Sequence, residues 1–172
     1  EASAVGINWT FAPMVDISRD ARWGRCMEGA GEDTYLGSKI GVARIKGFQG
    51  TDLSANNTIA ATAKHFAGYG FAEAGRDYNT VDIGTSTLYN IILPTFKAAV
   101  ESGVKTVMNS FNVVNGVPAT GNKFLQRDVL KESWKFNGFV VSDWGSISEM
   151  IPHGFAKDSK HAAEIAINAG SD

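Results

Sequence analysis

Short apolar segments alternate along this chain with amphipathic segments, and this alternation constrains the fold more than any other feature. The apolar runs have the length and composition of buried strands, and the longer polar segments carry helical periodicity. Alternating strands and helices favour parallel strands joined by right-handed crossovers. The predicted strands are 7–14, 59–66, 104–110 and 139–142, and the predicted helices are 34–48, 86–101, 122–134, 146–151 and 159–169. Ser86 can cap the second of these helices, and Asn115-Gly116 is a turn signal.

Two α/β architectures are compatible with this order. Four β/α units make half of an eight-unit TIM-type barrel, whereas an open doubly wound sheet is the competing arrangement. No Gly-x-Gly-x-x-Gly motif follows the first predicted strand, which argues against the nucleotide-binding version of the open sheet. We therefore predict an α/β fold that forms part of a (β/α)8 barrel.

Composition excludes several classes of function. The 172 residues carry a formal net charge of −2, which gives no electrostatic reason to expect nucleic acid or an anionic membrane as a partner. No apolar stretch approaches membrane-spanning length, and no signal peptide opens the chain. The single cysteine, Cys26, cannot form an intrachain disulfide, and no metal-ligand spacing of the His-Glu-x-x-His type occurs.

The last predicted strand ends in a carboxylate and a large aromatic side chain. In the run from Gly138 to Gly145, Asp143 and Trp144 directly follow four strand residues. In parallel α/β folds, chemistry is located at the carboxyl ends of strands. Asp is also a favoured helix N-cap, so this motif alone leaves two interpretations open, a reactive carboxylate and a structural cap.

The other predicted strands also end in polar side chains. Parallel strands place their carboxyl ends at one rim, and a rim rich in both carboxylates and cationic donors suits a polyhydroxylated ligand. Besides Asp143 and Trp144, the residues expected there are Asp16, Arg19, Asp20, Arg22 and Arg25 from the first strand, Lys64 and His65 from the second, and Asn109 and Ser110 from the third.

Structural roles compete with ligand binding for several of these side chains. Arg22 and Arg25 can pair with nearby acids, namely Glu28, Glu32 or Asp33, and His65 by itself is typical of a hydrogen-bonded core histidine. Lys64 lies in an apolar strand end, where an unpaired ammonium is costly, so it is expected to meet a carboxylate or ligand oxygens. A Schiff-base nucleophile of the kind found in barrel aldolases is a further interpretation of Lys64.

Several motifs occur together in a recognisable order. They are Ala-Pro-Met-Val-Asp-Ile at 12–17, Arg-Asp-Ala-Arg-Trp-Gly-Arg at 19–25, Glu28 with Gly-Glu-Asp at 31–33, Lys-His-Phe at 64–66, Met-Asn-Ser-Phe at 108–111 with Asn-Gly at 115–116, and Val-Ser-Asp-Trp at 141–144. This ordered set resembles the barrel domain of glycoside hydrolase family 3, most closely its β-glucosidases. The resemblance extends over nearly the whole chain and implies four to five β/α units of a TIM-type catalytic domain.

The resemblance also implies roles for individual residues. Asp143 matches the family's catalytic nucleophile, and Trp144 matches an aromatic residue beside it. Arg25, Lys64 and His65 match residues that bind the hydroxyls of the sugar in the −1 subsite. A basic residue of the family occurs in the loop after Lys-His-Phe, where this chain has Arg76. The resemblance implies no metal and no organic cofactor.

The activity implied by the resemblance is retaining hydrolysis. Terminal β-D-glucose would be released from β-glucosides or cello-oligosaccharides by double displacement, and a β-xylosidase of the same family is the alternative. A carbohydrate-binding barrel without catalysis is a third interpretation. The stretch Lys-His-Phe-Ala-Gly-Tyr-Gly at 64–70 departs from the Lys-His-Phe-Pro-Gly-His-Gly of the family's N-acetylglucosaminidases, which argues against that branch.

The resemblance further implies that residues 1–172 are a fragment of one barrel domain. Earlier barrel strands and a following α/β domain, which carries the general acid/base in the glucosidases, would lie outside it, and the fragment by itself would be inactive. The expected partners are β-linked gluco-oligosaccharides or aryl and alkyl glucosides, with no nucleic acid and no membrane, and a homodimer is a candidate assembly. A periplasmic or secreted location is favoured.

Overall fold

The structure, a computed structural model, describes residues 1–172 and contains a parallel sheet in chain order. The sheet contains strands β1 (Thr62–Phe66), β2 (Thr106–Asn109) and β5 (Phe139–Val141), which are hydrogen-bonded side by side in this order. The extended segment 7–14 runs parallel to the other edge of β1 through bridges at Trp9 and Met14. The predicted parallel order of four strand segments is therefore confirmed.

Helices connect these strands as the sequence predicts. Asp33 caps the first helix by accepting a hydrogen bond of 2.6 Å from the Leu36 N–H. The sequence also marks Ser86 as a cap, which is wrong, because Ser86 lies inside a helix that no side chain caps. None of the helices combines the length and the apolar character needed to cross a membrane. The helices are α1 (Thr34–Gln49), α2 (Thr85–Thr87), α3 (Leu93–Glu101), α4 (Ser146–Glu149) and α5 (Ser159–Ala169), with π-helical stretches at Leu88–Ile92 and Phe124–Ser133.

A small antiparallel hairpin follows β2. Its strands β3 (Val113–Val114) and β4 (Val117–Pro118) are joined by Asn115 and Gly116, whose φ angles are +49° and +85°. Two consecutive positive φ angles are typical of the tight turns that Asn-Gly favours, so the predicted turn is confirmed. The Asn115 amide also bonds both backbone groups of Ile83, which ties the hairpin to the preceding loop.

The two faces of the sheet differ in what covers them. One face packs small and branched strand residues against the helices that follow the first three strand segments, and this layer forms the main core. On the opposite face, the Trp9 Nε1–H lies 2.9 Å from the Thr62 Oγ1 and 3.0 Å from the Thr106 Oγ1, and its ring contacts Phe139. Helices packed on one face of a sequentially ordered parallel sheet are the arrangement of a partial barrel, so the barrel prediction is confirmed over the open sheet.

Candidate active site

The carboxyl ends of three strand segments meet around one imidazole ring. His65, in β1, is fully buried, and its Nε2 lies 3.5 Å from the Oδ2 of Asp143, which follows β5. The Nδ1 of the same ring lies 2.9 Å from the Oδ2 of Asp16, which follows the first strand segment. Asp16 and Asp143, which are 127 positions apart in the sequence, therefore lie on the same rim, as the carboxyl ends of parallel strands do.

Asp143 has one oxygen that no protein group satisfies. Its Oδ1 accepts a hydrogen bond of 2.7 Å from the Trp144 N–H, whereas its Oδ2 is buried and accepts none. The following helix, α4, begins after Gly145 and has no side-chain cap, so the interpretation of Asp143 as an N-cap is wrong. Buried polar atoms are nearly always hydrogen-bonded, so the unpaired carboxylate oxygen at this strand end makes Asp143 a candidate for ligand contact.

A buried polar network holds the turn that carries Asp143. Gly145 has φ +69° and ends this turn, and the hydroxyl of Ser146 lies 3.3 Å from the Oδ1 of Asn109. Asn109 is fully buried and also accepts a hydrogen bond from Thr120. The sequence places Asn109 on the rim, and the structure shows that it lies behind the site and supports the loop after β5.

Lys64 is half-buried and carries no ion pair. Its side chain lines a cavity of about 240 Å³ together with Phe11, Met14 and Glu28. Burial lowers the pKa of the Lys64 ammonium and the nearby Arg25 adds to this, while the carboxylates of Glu28, Asp143 and Asp16 act in the opposite direction. Of the two partners that the sequence predicts for Lys64, the structure shows no carboxylate in an ion pair with it, and binding of ligand oxygens stays a prediction.

Arg25 is paired within the protein. Its Nε and one terminal nitrogen bond the two carboxylate oxygens of Glu28 at 2.6 and 2.8 Å, and its guanidinium lies 5.5 Å from the Tyr69 ring centre. The hydrogen bonds with Glu28 raise the pKa of Arg25 and lower that of Glu28. The alternative of a structural pair is thus observed for Arg25, but its second terminal nitrogen lies outside this pair.

Arg22 forms an ion pair with a different acid from those that the sequence predicts. It bonds Asp20, with a shortest distance of 2.6 Å, and none of the three acids that the sequence offers. Asp20 lies two residues away, so the guanidinium reaches it by folding back over its own turn, whereas the other acids lie farther along the loop. The prediction of its partners was therefore wrong, and Arg22 remains an exposed side chain in a local ion pair.

Trp144 and Arg76 lie at the periphery of this cluster. Trp144 is 91% exposed and lines an open pocket of about 420 Å³ with Phe11, Met108 and Asp143. Arg76 is exposed in the loop after β1, and no hydrogen bond or ion pair joins its side chain to the other site residues. The structure therefore brings Asp143, His65, Lys64, Arg25 and Trp144 to one rim and leaves Arg76 apart.

Tyr69 is a site residue that sequence reasoning missed. It is fully buried, and its ring packs edge-on against His65 at 5.0 Å and against Trp23 at 5.1 Å. Burial, with Asp77 acting in the same direction, raises its pKa. At the neighbouring Gly70 an added Cβ would lie 2.2 Å from the carbonyl oxygen of Ile17, so only glycine lets the two rim loops approach this closely.

A second carboxyl group near Asp143 was also missed. Burial raises the pKa of Glu149, on α4, and the negative charge of Asp143 adds to this against the opposing effect of His153. The Oε2 of Glu149 is buried without a hydrogen-bond partner. No three His, Cys, Asp or Glu side chains lie close enough together to hold a metal ion, so these carboxylates form no metal centre by themselves.

Comparisons with known proteins give one consistent result. The sequence profile of the glycosyl hydrolase family 3 N terminal domain matches residues 1–172. A periplasmic β-glucosidase of Salmonella typhimurium is 46% identical over the whole chain, which corresponds to 22% of that protein. A β-xylosidase of Formosa agariphila is 40% identical, again over the whole chain and 24% of its own length.

Solved structures agree with these relatives. A mutant β-glucosidase from Listeria innocua in complex with laminaribiose superposes with a TM-score of 0.97 at 49% identity, over 99% of this chain and 24% of that protein. An exo-β-xylosidase in complex with a xylobiose-derived probe gives a TM-score of 0.86 at 34% identity, over 94% of this chain and 22% of that protein. The 172 residues thus span about a quarter of the length of the relatives they match.

Proposed function

Because this chain belongs to glycosyl hydrolase family 3, we propose that it forms the nucleophile-bearing part of a retaining β-glucosidase. The observation that carries this proposal is the buried, unpaired Oδ2 of Asp143 beside His65. A carboxylate that is held in place by the Trp144 N–H, keeps one oxygen unpaired and belongs to a residue lining an open pocket is suited to attack an anomeric carbon.

The proposed reaction is a double displacement. Asp143 forms a covalent bond to the anomeric carbon while the leaving group takes a proton from a second carboxyl group, and water then cleaves the glycosyl–enzyme bond with net retention. Lys64, His65 and the terminal nitrogen of Arg25 that does not bond Glu28 would hold the sugar hydroxyls, and Trp144 would form one wall of the pocket. Positioning of this kind is a large part of enzymatic rate enhancement.

The second carboxyl group is proposed to come from outside residues 1–172. Retaining glycosidases place the two carboxyl groups about 5–5.5 Å apart. The matched relatives are about four times longer than this chain, which leaves room for further barrel strands and for a following α/β domain that supplies the acid/base. We therefore expect residues 1–172 alone to be inactive. Hydrolysis of an aryl β-glucoside by the isolated 172 residues would contradict this domain assignment.

Glucosides are the proposed substrates. The support is the identity to β-glucosidases at 46–49%, among them a protein whose structure holds laminaribiose, a β-linked glucose disaccharide. A β-xylosidase is the second candidate, because relatives with that activity are 40% identical over the whole chain. We further propose a periplasmic location by analogy with the Salmonella relative.

One experiment with the full-length enzyme tests the nucleophile and the substrate together. After reaction with a 2-deoxy-2-fluoro-β-glucosyl fluoride, peptide mass spectrometry is expected to find the sugar on Asp143. The rates with aryl β-glucoside and aryl β-xyloside then rank the two substrate classes. A label on another residue would overturn the nucleophile assignment, and binding without turnover would favour a carbohydrate-binding barrel. Borohydride trapping of a carbonyl substrate on Lys64 would favour an aldolase.

A further inference from the structure

Asp16 makes two hydrogen bonds, and both go to one residue. Its Oδ2 accepts from the backbone N–H of His65 at 2.8 Å and lies 2.9 Å from the Nδ1 of the same residue. Asp16 and His65 are 3% and 1% exposed, so this pair is shielded from water. A carboxylate can only accept hydrogen bonds, so Nδ1 must carry its proton for this contact to be favourable.

The protonation of Nδ1 determines what Nε2 can do. In the neutral ring the second nitrogen is an acceptor, and it lies 3.5 Å from the Oδ2 of Asp143, the oxygen that lacks a partner. The ring cannot rotate to exchange its nitrogens without losing the bond to Asp16. Packing of the Tyr69 ring at 5.0 Å also restricts it.

We propose that Asp16 is a positioning residue that fixes the orientation and tautomer of His65, so that Nε2 is reserved for the reaction centre beside Asp143. In the neutral ring Nε2 accepts a hydrogen bond from a sugar hydroxyl. This inference rests on the proposed glycosidase function, but it concerns a residue that does not itself reach the sugar. Asp16 acts through His65, much as an orienting carboxylate acts through the histidine of a catalytic triad.

The test is a double-mutant cycle in the full-length enzyme. Asp16→Asn is expected to lower kcat/KM for an aryl β-glucoside by about 10- to 100-fold, the size of one lost charge-assisted hydrogen bond. In a His65→Gln background the same substitution should change kcat/KM by less than about twofold, because Asp16 then has no ring to orient. Equal losses in both backgrounds would show a merely structural role and overturn the inference.

A matched control and a second measurement separate this inference from the proposed function. Asp20→Asn removes a carboxylate of the same loop that pairs only with Arg22, and it should leave kcat/KM within about twofold of the parent. In the unsubstituted enzyme labelled with ¹⁵N-histidine, the neutral His65 ring should carry its proton on Nδ1. A proton on Nε2 instead would overturn the inference even if Asp16→Asn fails to fold. If the fluorosugar labels Asp143 but Asp16→Asn has the kcat/KM of the parent, the inference about Asp16 is rejected and the proposed function is retained.

Discussion

Two carboxylates, those of buried Asp16 and partly buried Asp143, lie on opposite sides of the same imidazole and differ in the hydrogen bonds that they accept. The Oδ2 of Asp16 accepts two hydrogen bonds from His65 within 2.9 Å. The Oδ2 of Asp143 accepts none, and its nearest cationic or ring nitrogen is the His65 Nε2 at 3.5 Å. The Oδ2 of Asp16 is thus satisfied within the fold, whereas the Oδ2 of Asp143 is a buried acceptor without a partner, which we propose a substrate provides.

The same contrast separates the two cationic side chains of the rim. Arg25 has a bidentate carboxylate partner in Glu28, and Lys64 has none although it is half-buried. Asp16 and the Glu28-bound side of Arg25 therefore form the frame of the site. We propose that the unpaired groups, Asp143 and Lys64, contact the substrate.

The largest expected effect is that of Asp143→Asn. The amide cannot form the glycosyl ester, so turnover should fall by about 10³-fold or more. Folding should be retained, with a change in unfolding free energy within about 0.5 kcal/mol, because the lost negative charge had no satisfied partner at Oδ2. Steady-state kinetics and thermal unfolding of the full-length enzyme provide the measurements. Turnover near the parent rate would remove Asp143 from the mechanism.

Lys64→Met is expected to have the next largest effect on activity. Loss of the ammonium should lower kcat/KM by about 10- to 100-fold, because a charged donor to the sugar hydroxyls disappears. Burial lowers the pKa of Lys64, so at any pH below the pKa of the unfolded chain its charge costs the folded state free energy. Replacement by Met removes this cost and should leave the free energy of unfolding unchanged or higher. Denaturant unfolding with matched kinetics checks both parts. A loss of stability with full activity would assign Lys64 to the frame.

Asp16→Asn is expected to show the opposite pattern in stability. Weakening a buried pair of hydrogen bonds should lower the unfolding free energy by about 1–3 kcal/mol. Chemical denaturation at pH 7 measures this loss, and Asp143→Asn measured alongside serves as the comparison. If both substitutions change stability equally, the two carboxylates do not differ in the way that their hydrogen bonds indicate.

The smallest expected effect is that of Glu149→Gln. The raised pKa means that the folded protein retains the proton of Glu149 better than the unfolded chain, so its contribution to stability is present below pH 4.5 and is lost as the pH rises through the folded-state value. The uncharged Gln should therefore increase stability at neutral pH, by less than about 1 kcal/mol for this partly exposed group. Unfolding curves at pH 4 and pH 7 check the sign. A variant less stable than the parent at pH 7 would show that the charged form is favoured.

Much of the site follows from local sequence because strand ends in a parallel sheet share one rim. Asp143, His65 and Lys64 could be placed there from apolar runs and their polar ends alone. The turn at Asn115-Gly116 was equally local. The cap at Ser86 was wrong, because a preference for capping is weak and a helix can begin one residue earlier without any side-chain cap.

Other contacts lay beyond the reach of sequence reasoning because they join residues far apart in the chain. Asp16 and His65 are separated by 49 positions, and nothing in either motif shows that both hydrogen bonds of one carboxylate go to one residue. Tyr69 became visible as a site residue only through its packing on His65 and Trp23. Arg22 forms its ion pair with Asp20, two residues away, and not with the predicted acids farther along the loop.

The sequence by itself determined the family, the parallel order of the strands and the set of polar side chains at their ends, because these depend on local patterns of apolar and polar residues. Only the tertiary structure decided which of these side chains are satisfied. Hydrogen-bond satisfaction depends on which strand ends become neighbours and at what distance. That arrangement is why Asp16 belongs to the frame of the site and why Asp143, on the other side of His65, retains a free oxygen.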